Sequence, residues 1–260
     1  MTAINKISRI DLAESSKSVS ELLMRGNNNL DLIRLLAALM VVFGHSFALS
    51  LTQNLTEPFS YLFPFTYSGS IAVKVFFFIS GLLVTNSILT SRSIKKFIIS
   101  RFFRIYPAFA VTIIITGLII GPLAYRGSLS AYITDSSYLD YIINSLRFKT
   151  PYFIKGVFVG NHDNGSMNGS LWTIGLEVSA YLVVIAAFIL AGLKNRQLSS
   201  CLCLLIIIIP LTNIEGLNFI VIKSSEAYLL PSCFALGALF AINKDNIILD
   251  YKIPLALYII

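Results

Sequence analysis

The chain has 260 residues, of which 56% are hydrophobic and only 13% charged, and its mean hydropathy is +0.78. A soluble domain carries about 25% charged residues, so this composition excludes a soluble enzyme, a disordered chain, a coiled coil and a disulfide-rich secreted domain, and makes the bilayer part of the solvent. The net charge of +7 reads, in such a chain, as basic cytoplasmic loops and not as a nucleic-acid footprint.

Met1–Asn29 is polar and mixed in charge. It lacks an apolar core followed by a small-residue cleavage site, so it reads as a cytoplasmic lead-in and not a signal peptide. Hydrophobic spans follow at about Asp31–Leu51, Ile71–Leu89, Ile105–Ala124, Leu171–Leu193, Leu198–Ile214 (short, and containing Pro210) and Ala227–Ile242. Most approach the ~20 residues needed to cross a ~30 Å hydrocarbon core. A seventh apolar run starts near Ile253 and is still running at Ile260, so the sequence is expected to be the N-terminal part of a longer chain. The expected fold class is all-α: a polytopic transmembrane helix bundle with six complete spans and the start of a seventh. Residues 1–29 form the polar segment and residues 30–260 the transmembrane domain.

The loops orient the chain. Arg92, Lys95, Lys96, Arg101 and Arg104 lie between spans two and three with no acid among them, whereas Thr52–Ser70 has no Lys or Arg. The basic loop belongs inside, the other outside, and the N-terminus is cytoplasmic. Lys194, Arg196, Lys244 and Lys252 fall inside by the same alternation. Arg126, Arg147, Lys149 and Lys155 fall in the long loop Gly121–Gly169, where charge constrains topology weakly. Tyr138–Phe148 in that loop has helical spacing of apolar residues and is expected to lie along the membrane surface.

An ionisable group inside a span costs about 2.5–3.5 kcal/mol even on the lenient insertion scale, so the few present are informative. Asp31 and Arg34 are three apart in span one and can pair. Arg34 and His45 are eleven apart, which returns to the same stripe of a helix about 20° off and roughly 16 Å along. Arg34 reads either as an arginine snorkelling to the interface or as a site residue. His45 reads either as a hydrogen-bonded packing residue or as the base that takes a hydroxyl proton. Glu177, in span four, lies about 10 Å below the outer surface by helix rise, a depth similar to that of His45. It is either an interhelical hydrogen-bonding group or a partner for that imidazole. Lys74 can snorkel outward from span two, and Ser80-Gly81 permits close helix approach. Trp172, the sole tryptophan, suits an interfacial anchor. The basic cluster up to Arg104 either anchors the inner face or binds a phosphorylated cofactor, since guanidinium contacts phosphate bidentately. Cys201, Cys203 and Cys233 sit in apolar runs and suggest packing, and no metal site is expected. His162 stands alone in a polar loop with Asp163. Asn54, Asn164 and Asn168 head Asn-x-Ser/Thr triplets, patterns short enough to arise by chance.

Four pieces of the chain together resemble the acyltransferase family 3 of integral membrane proteins. Asn29-Leu30-Asp31-Leu32-Ile33-Arg34 followed by Val41-Val42-Phe43-Gly44-His45-Ser46 is similar to the family's first helix, with its Arg, ten residues, then His. Phe76-Phe77-Phe78-Ile79-Ser80-Gly81 resembles its second helix. Arg101-Phe102-Phe103-Arg104-Ile105-Tyr106-Pro107 resembles its Arg-x-x-Arg-Ile-x-Pro start of the third, and Ser170-Leu171-Trp172 with Glu177 its Ser-Leu-Trp…Glu motif. The pieces occur in order over residues 29–180.

The resemblance implies transfer of an acyl group, usually acetyl from acetyl-CoA, to a hydroxyl of a surface carbohydrate such as O-antigen, exopolysaccharide or another glycan. His45 corresponds to the family's essential histidine and Glu177 to its motif acid, giving the catalytic pair. Arg34, Arg101 and Arg104 correspond to its essential arginines and are expected to hold the CoA phosphates. Ser170 and Trp172 are the expected substrate contacts. Lys74 stands where many members have another polar residue and carries no implied role. The expected partners are membrane lipid and a carbohydrate acceptor, without nucleic acid or metal, and the expected location is the inner membrane. The alternatives are a transporter of a sugar-linked substrate, in which His45, Glu177 and Lys74 line a path, and an inactive truncated paralogue.

Overall fold

The computed structural model describes residues 17–24, 26, 29–49, 56–149, 151, 153–160, 165–191, 195–211, 227 and 229–249. The seventh span expected from Ile253, the His162–Asp163 loop, the first sixteen residues, Asn54, Asn164, Lys194 and Lys252 lie outside them.

The described residues are all-α apart from one pair of two-residue strands, β1 (Lys17–Ser18) and β2 (Ile248–Leu249). The helices run α1 (Val19–Leu22), α2 (Leu30–Ala48), α3 (Pro58–Leu62), α4 (Ser68–Ser91) and α5 (Ile94–Ile115). A π turn (Thr116–Ile120) leads into α6 (Gly121–Ala124), followed by α7 (Leu129–Thr134) and α8 (Ser137–Leu146). A 3-10 turn (Gly169–Leu171) opens α9 (Trp172–Ala191), and α10 (Arg196–Ile208) and α11 (Leu230–Ile242) complete the order. Among the described residues, four helical stretches are long and apolar enough to cross a membrane: Leu30–Phe47, Ser68–Ser91, Ile94–Ala124 and Gly169–Leu190. The helices at the expected fifth and sixth spans, α10 and α11, have 13 residues each, about 20 Å at 1.5 Å per residue, and fall short of that length.

The third span differs from expectation at its start. Helix begins at Ile94, not Ile105, because Ser93 caps it by accepting a hydrogen bond from the Lys96 N–H at 3.4 Å and nothing between them breaks it. Lys95, Lys96, Arg101 and Arg104 therefore lie on α5 itself. Pro107, expected in the first turn of the span, is well inside the helix.

The described residues form two compact units, one drawn from Met1–Leu36, Val75–Asn86 and Lys194–Ile260, the other from Ala37–Lys74 and Ser87–Leu193. In the first, α4 and α11 meet backbone to backbone. A Cβ at Gly81 would land on the Phe234 carbonyl. One at Gly237 would land on the Phe78 carbonyl and lie 2.7 Å from the Leu82 nitrogen. This is the close approach expected of Ser80-Gly81, and it requires a glycine on each helix. Cys203, Ala235 and Ala238 are buried together between α10 and α11. Polar contacts tie their ends: Arg196 Nε donates to Asn243 Oδ1 at 2.9 Å, and Lys244 Nζ donates to Asn86 Oδ1 at 2.9 Å. The described part of the polar lead-in is folded onto this unit. Ser18 and Glu21 form a capping box on α1, and Val19 is buried against Leu82 and Ala241.

In the second unit, α7 and α8 pack along the latter half of α5 and its π turn. Tyr132, Tyr141, Ile154 and Val157 share a core with Phe109 and Ile113. The helix expected over Tyr138–Phe148 is present as α8, with Tyr141 and Ser145 buried and Leu139 and Ile143 exposed.

Candidate functional site

Helix α2 carries both residues of the Arg-to-His motif. Arg34 lies 3.8 Å from the Asp31 carboxylate, as the three-residue spacing suggested, but Asp31 is almost fully exposed and such a pair contributes little. His45 is half-buried. Its Nδ1 lies 2.9 Å from the Val41 carbonyl one turn back. A carbonyl only accepts, so Nδ1 carries a proton, and in the neutral imidazole the lone pair is then on Nε2. The hydrogen bond of His45 is thus to its own helix and not to Glu177.

The surroundings of His45 are fixed by backbone proximity. A Cβ on the preceding residue, Gly44, would lie 2.9 Å from both the Gly69 nitrogen and the Ser68 hydroxyl, so glycine lets the first turn of α4 sit against α2. Ser68 Oγ donates to the Met40 carbonyl at 3.1 Å, and the Ser68 N–H donates to the Glu57 carboxylate at 2.9 Å. Glu57 is only 5% exposed. No sequence signal pointed to it: Glu57 directly precedes α3 and makes no side-chain cap there, and its carboxylate instead serves the start of α4, eleven residues on. Lys74 reaches back along α4 to donate to Ser70 Oγ at 2.9 Å.

Helix α9 presents the Ser-Leu-Trp…Glu motif. Ser170 is exposed in the 3-10 turn, and Trp172, half-buried, is the first residue of α9. One face further on, the Tyr181 hydroxyl donates to the Glu177 carboxylate. Tyr181 is buried, and its ring meets that of Phe97 edge-on at 6.3 Å. The Arg101 guanidinium lies 5.9 Å from the centre of the same Phe97 ring, within reach of a cation–π interaction. Arg101 Nη2 donates to Ser100 Oγ at 3.2 Å, while its Nε and Nη1 are buried without a hydrogen-bond partner among the described residues.

Glu177, Tyr181, Phe97 and Arg101 therefore form one continuous cluster in the second unit, joining the motif acid to the first arginine of the Arg-x-x-Arg motif. Arg104, one turn on, is exposed. Arg34 belongs to the other unit. Tyr181 was also missed from sequence, although its spacing of four from Glu177 puts the two on one helix face. Among the described residues no three His, Cys, Asp or Glu side chains group as metal ligands, and Cys201, Cys203 and Cys233 are not joined by disulfides.

Residues 27–260 match the acyltransferase domain family. The chain is 30% identical over 252 residues to an O-acetyl transferase of Shigella phage Sf6, an alignment covering 90% of this chain and 70% of that protein. It is 33% identical over 164 residues to Nodulation protein 10 of Rhizobium leguminosarum bv. viciae, covering 60% of this chain and 43% of that one. It is 32% identical over 117 residues to the acyltransferase MdmB of Streptomyces mycarofaciens, covering 45% and 28%. No solved structure is similar to the chain. With a match over most of its length and, among the described residues, four helices long and apolar enough to cross a membrane, the chain belongs to acyltransferase family 3 and is a multi-pass membrane protein.

Proposed function

We propose that the protein is an O-acetyltransferase of the inner membrane, with a cytoplasmic N-terminus, that transfers acetyl from acetyl-CoA to a hydroxyl of a cell-surface carbohydrate. The observation that carries this reading is His45. With Nδ1 committed to the Val41 carbonyl, Nε2 is free to take the proton of the acceptor hydroxyl as its oxygen attacks the acyl carbonyl. The phage O-acetyl transferase, to which the chain is 30% identical, supports acetyl as the group transferred.

Arg101 supports the donor. Its two buried nitrogens, without hydrogen-bond partners among the described residues, suit anionic oxygens, and guanidinium recognises phosphate bidentately. Arg101 and Arg104 are the residues that would hold the phosphates of acetyl-CoA; for Arg34 that role comes from the family resemblance. When bound, acetyl-CoA supplies the acetyl group as a thioester, whose sulfur leaves with a proton. Because His45 is oriented by Val41, Glu177 is assigned to the acceptor sugar, with Ser170 and Trp172 as further acceptor contacts.

The test is His45→Ala in the full-length protein, with mass analysis of envelope polysaccharide. Loss of O-acetyl groups at an unchanged level of membrane-inserted protein supports the reading. Full acetylation would remove His45 from the chemistry, and unchanged acetylation with altered polysaccharide export on gene deletion would favour a transporter.

A further inference from the structure

The second unit holds a buried polar network that the chemistry above does not use. It starts from a backbone irregularity. In the π turn, the Gly121 N–H donates to the Thr116 carbonyl, five residues back. The Gly117 carbonyl would then look to residue 122, which is a proline and has no N–H. Tyr132, from α7, fills the place: its hydroxyl donates to the Gly117 carbonyl at 2.6 Å. A Cβ on Gly117 would lie 2.6 Å from Ile142, so glycine here also lets α8 close on the turn.

Widening the helix at this point leaves Thr116 buried, at 3% exposure, with its hydroxyl facing Asn168. The Asn168 amide donates to Thr116 Oγ1 at 2.8 Å and to the buried Tyr141 hydroxyl at 2.9 Å. Both amide hydrogens are thereby used, and the Asn168 backbone carbonyl accepts the Leu171 N–H at 3.1 Å to open the 3-10 turn before α9. The side chain is committed to structure, which removes Asn168 as an acceptor for a glycan.

A second contact bears on the same helix. The Phe148 carbonyl faces Gly175, where a Cβ would lie 3.2 Å away. Phe148 has a left-handed φ of 62°, uncommon for a non-glycine residue, and its ring stacks on Phe109 at 5.3 Å. The start of α9 is thus tied to the π turn and α8 at Asn168 and covered at Gly175, two residues before Glu177.

We propose that Asn168 is a positioning residue for acyl transfer: its amide latches the π turn and Tyr141 to the start of α9, and so sets the register at which Glu177 meets the acceptor. This rests on the acetyltransferase reading. A π turn in a long helix frequently marks a functional site. Here it supplies the buried hydroxyl that the latch needs. Thr and Tyr hydroxyls can donate as well as accept, so a carboxylate in place of the amide can be served by the same two groups reversed, whereas a side chain with no polar atoms cannot.

The experiment compares Asn168→Ala, Asn168→Asp and the double variant Thr116→Val/Tyr141→Phe in the full-length protein in membranes. Acetyl-labelled acetyl-CoA is the donor, and envelope polysaccharide from a strain lacking the gene is the acceptor. Asn168→Ala and the double variant are expected to lower kcat by about tenfold or more while KM for acetyl-CoA changes by less than about twofold, and Asn168→Asp to restore most of kcat. Wild-type kcat in Asn168→Ala, or equal loss in Asn168→Asp, overturns the proposal. Hydrogen exchange decides the latch apart from the chemistry. Faster exchange of residues 169–177 in Asn168→Ala supports it even if the wild-type protein transfers no acetyl, an outcome that would sink the acetyltransferase reading alone. Unchanged exchange there overturns the latch.

Discussion

The Tyr181 hydroxyl donates to the Glu177 carboxylate one helical turn before it, from a ring held edge-on by Phe97. The acid of the Ser-Leu-Trp…Glu motif is therefore oriented from within its own helix, by a buried phenol that itself packs on α5. Tyr181→Phe removes the hydrogen bond and keeps the ring contact. It is expected to lower acetyl transfer about tenfold, the loss of one charge-assisted hydrogen bond, with no change in the amount of folded protein. Initial rates with labelled acetyl-CoA check this, and wild-type rates would show that Glu177 does not depend on Tyr181.

Arg101 offers a guanidinium over Phe97 and two buried nitrogens without hydrogen-bond partners among the described residues. Arg101→Lys keeps the charge but loses the planar fork. It is expected to raise KM for acetyl-CoA by about tenfold, with a smaller effect on kcat, as for a group that binds substrate and transition state alike. A fall in kcat at constant KM would instead place Arg101 in the chemical step.

The crossing of α4 and α11 leaves no room for side chains at Gly81 and Gly237. Gly237→Val is expected to destabilise the first unit by roughly 1–3 kcal/mol or more through overpacking against backbone, which cannot yield as a side chain would. Thermal unfolding in detergent measures it, and an unchanged midpoint would rule out the close crossing.

Burial pushes the Tyr132 phenol up to about 12, with the neighbouring Tyr138 and Tyr141 adding to the shift, and burial likewise raises Tyr141. A phenol raised in the folded state contributes stability that is fully present below its ordinary value of 10.0 and is lost as pH climbs to about 12. The packing of α7 and α8 on the π turn is therefore expected to persist through neutral and mildly alkaline pH and to loosen between those two values. Phenolate absorbance against pH checks it. Ionisation of Tyr132 near 10 would show that its hydroxyl is not buried on the Gly117 carbonyl.

The four long spans were legible because the cost of exposing backbone and charge to hydrocarbon is paid residue by residue and so is written into local composition. Composition was less reliable at the ends. Arg101 and Arg104 suggested a loop, yet Ser93 caps a helix that carries them, because helix initiation depends on the cap and not on hydropathy. The arginine, histidine and glutamate of the family motifs were likewise visible, since each sits in a short pattern of neighbours.

Sequence by itself determined that this is a membrane protein of acyltransferase family 3 and which charged residues stand out against lipid. It also contained the Glu177–Tyr181 pair, four residues apart on one helix, although nothing in the spacing alone said that the phenol would be buried. Only the tertiary structure decided that Asn168 reaches Thr116 and Tyr141, 52 and 27 residues away, that Gly81 and Gly237 meet, and that Arg101 shares Phe97 with Tyr181. The reason is physical: hydropathy and helix periodicity are local properties of a chain, whereas the satisfaction of a buried polar group is set by whichever distant segment folding brings to it.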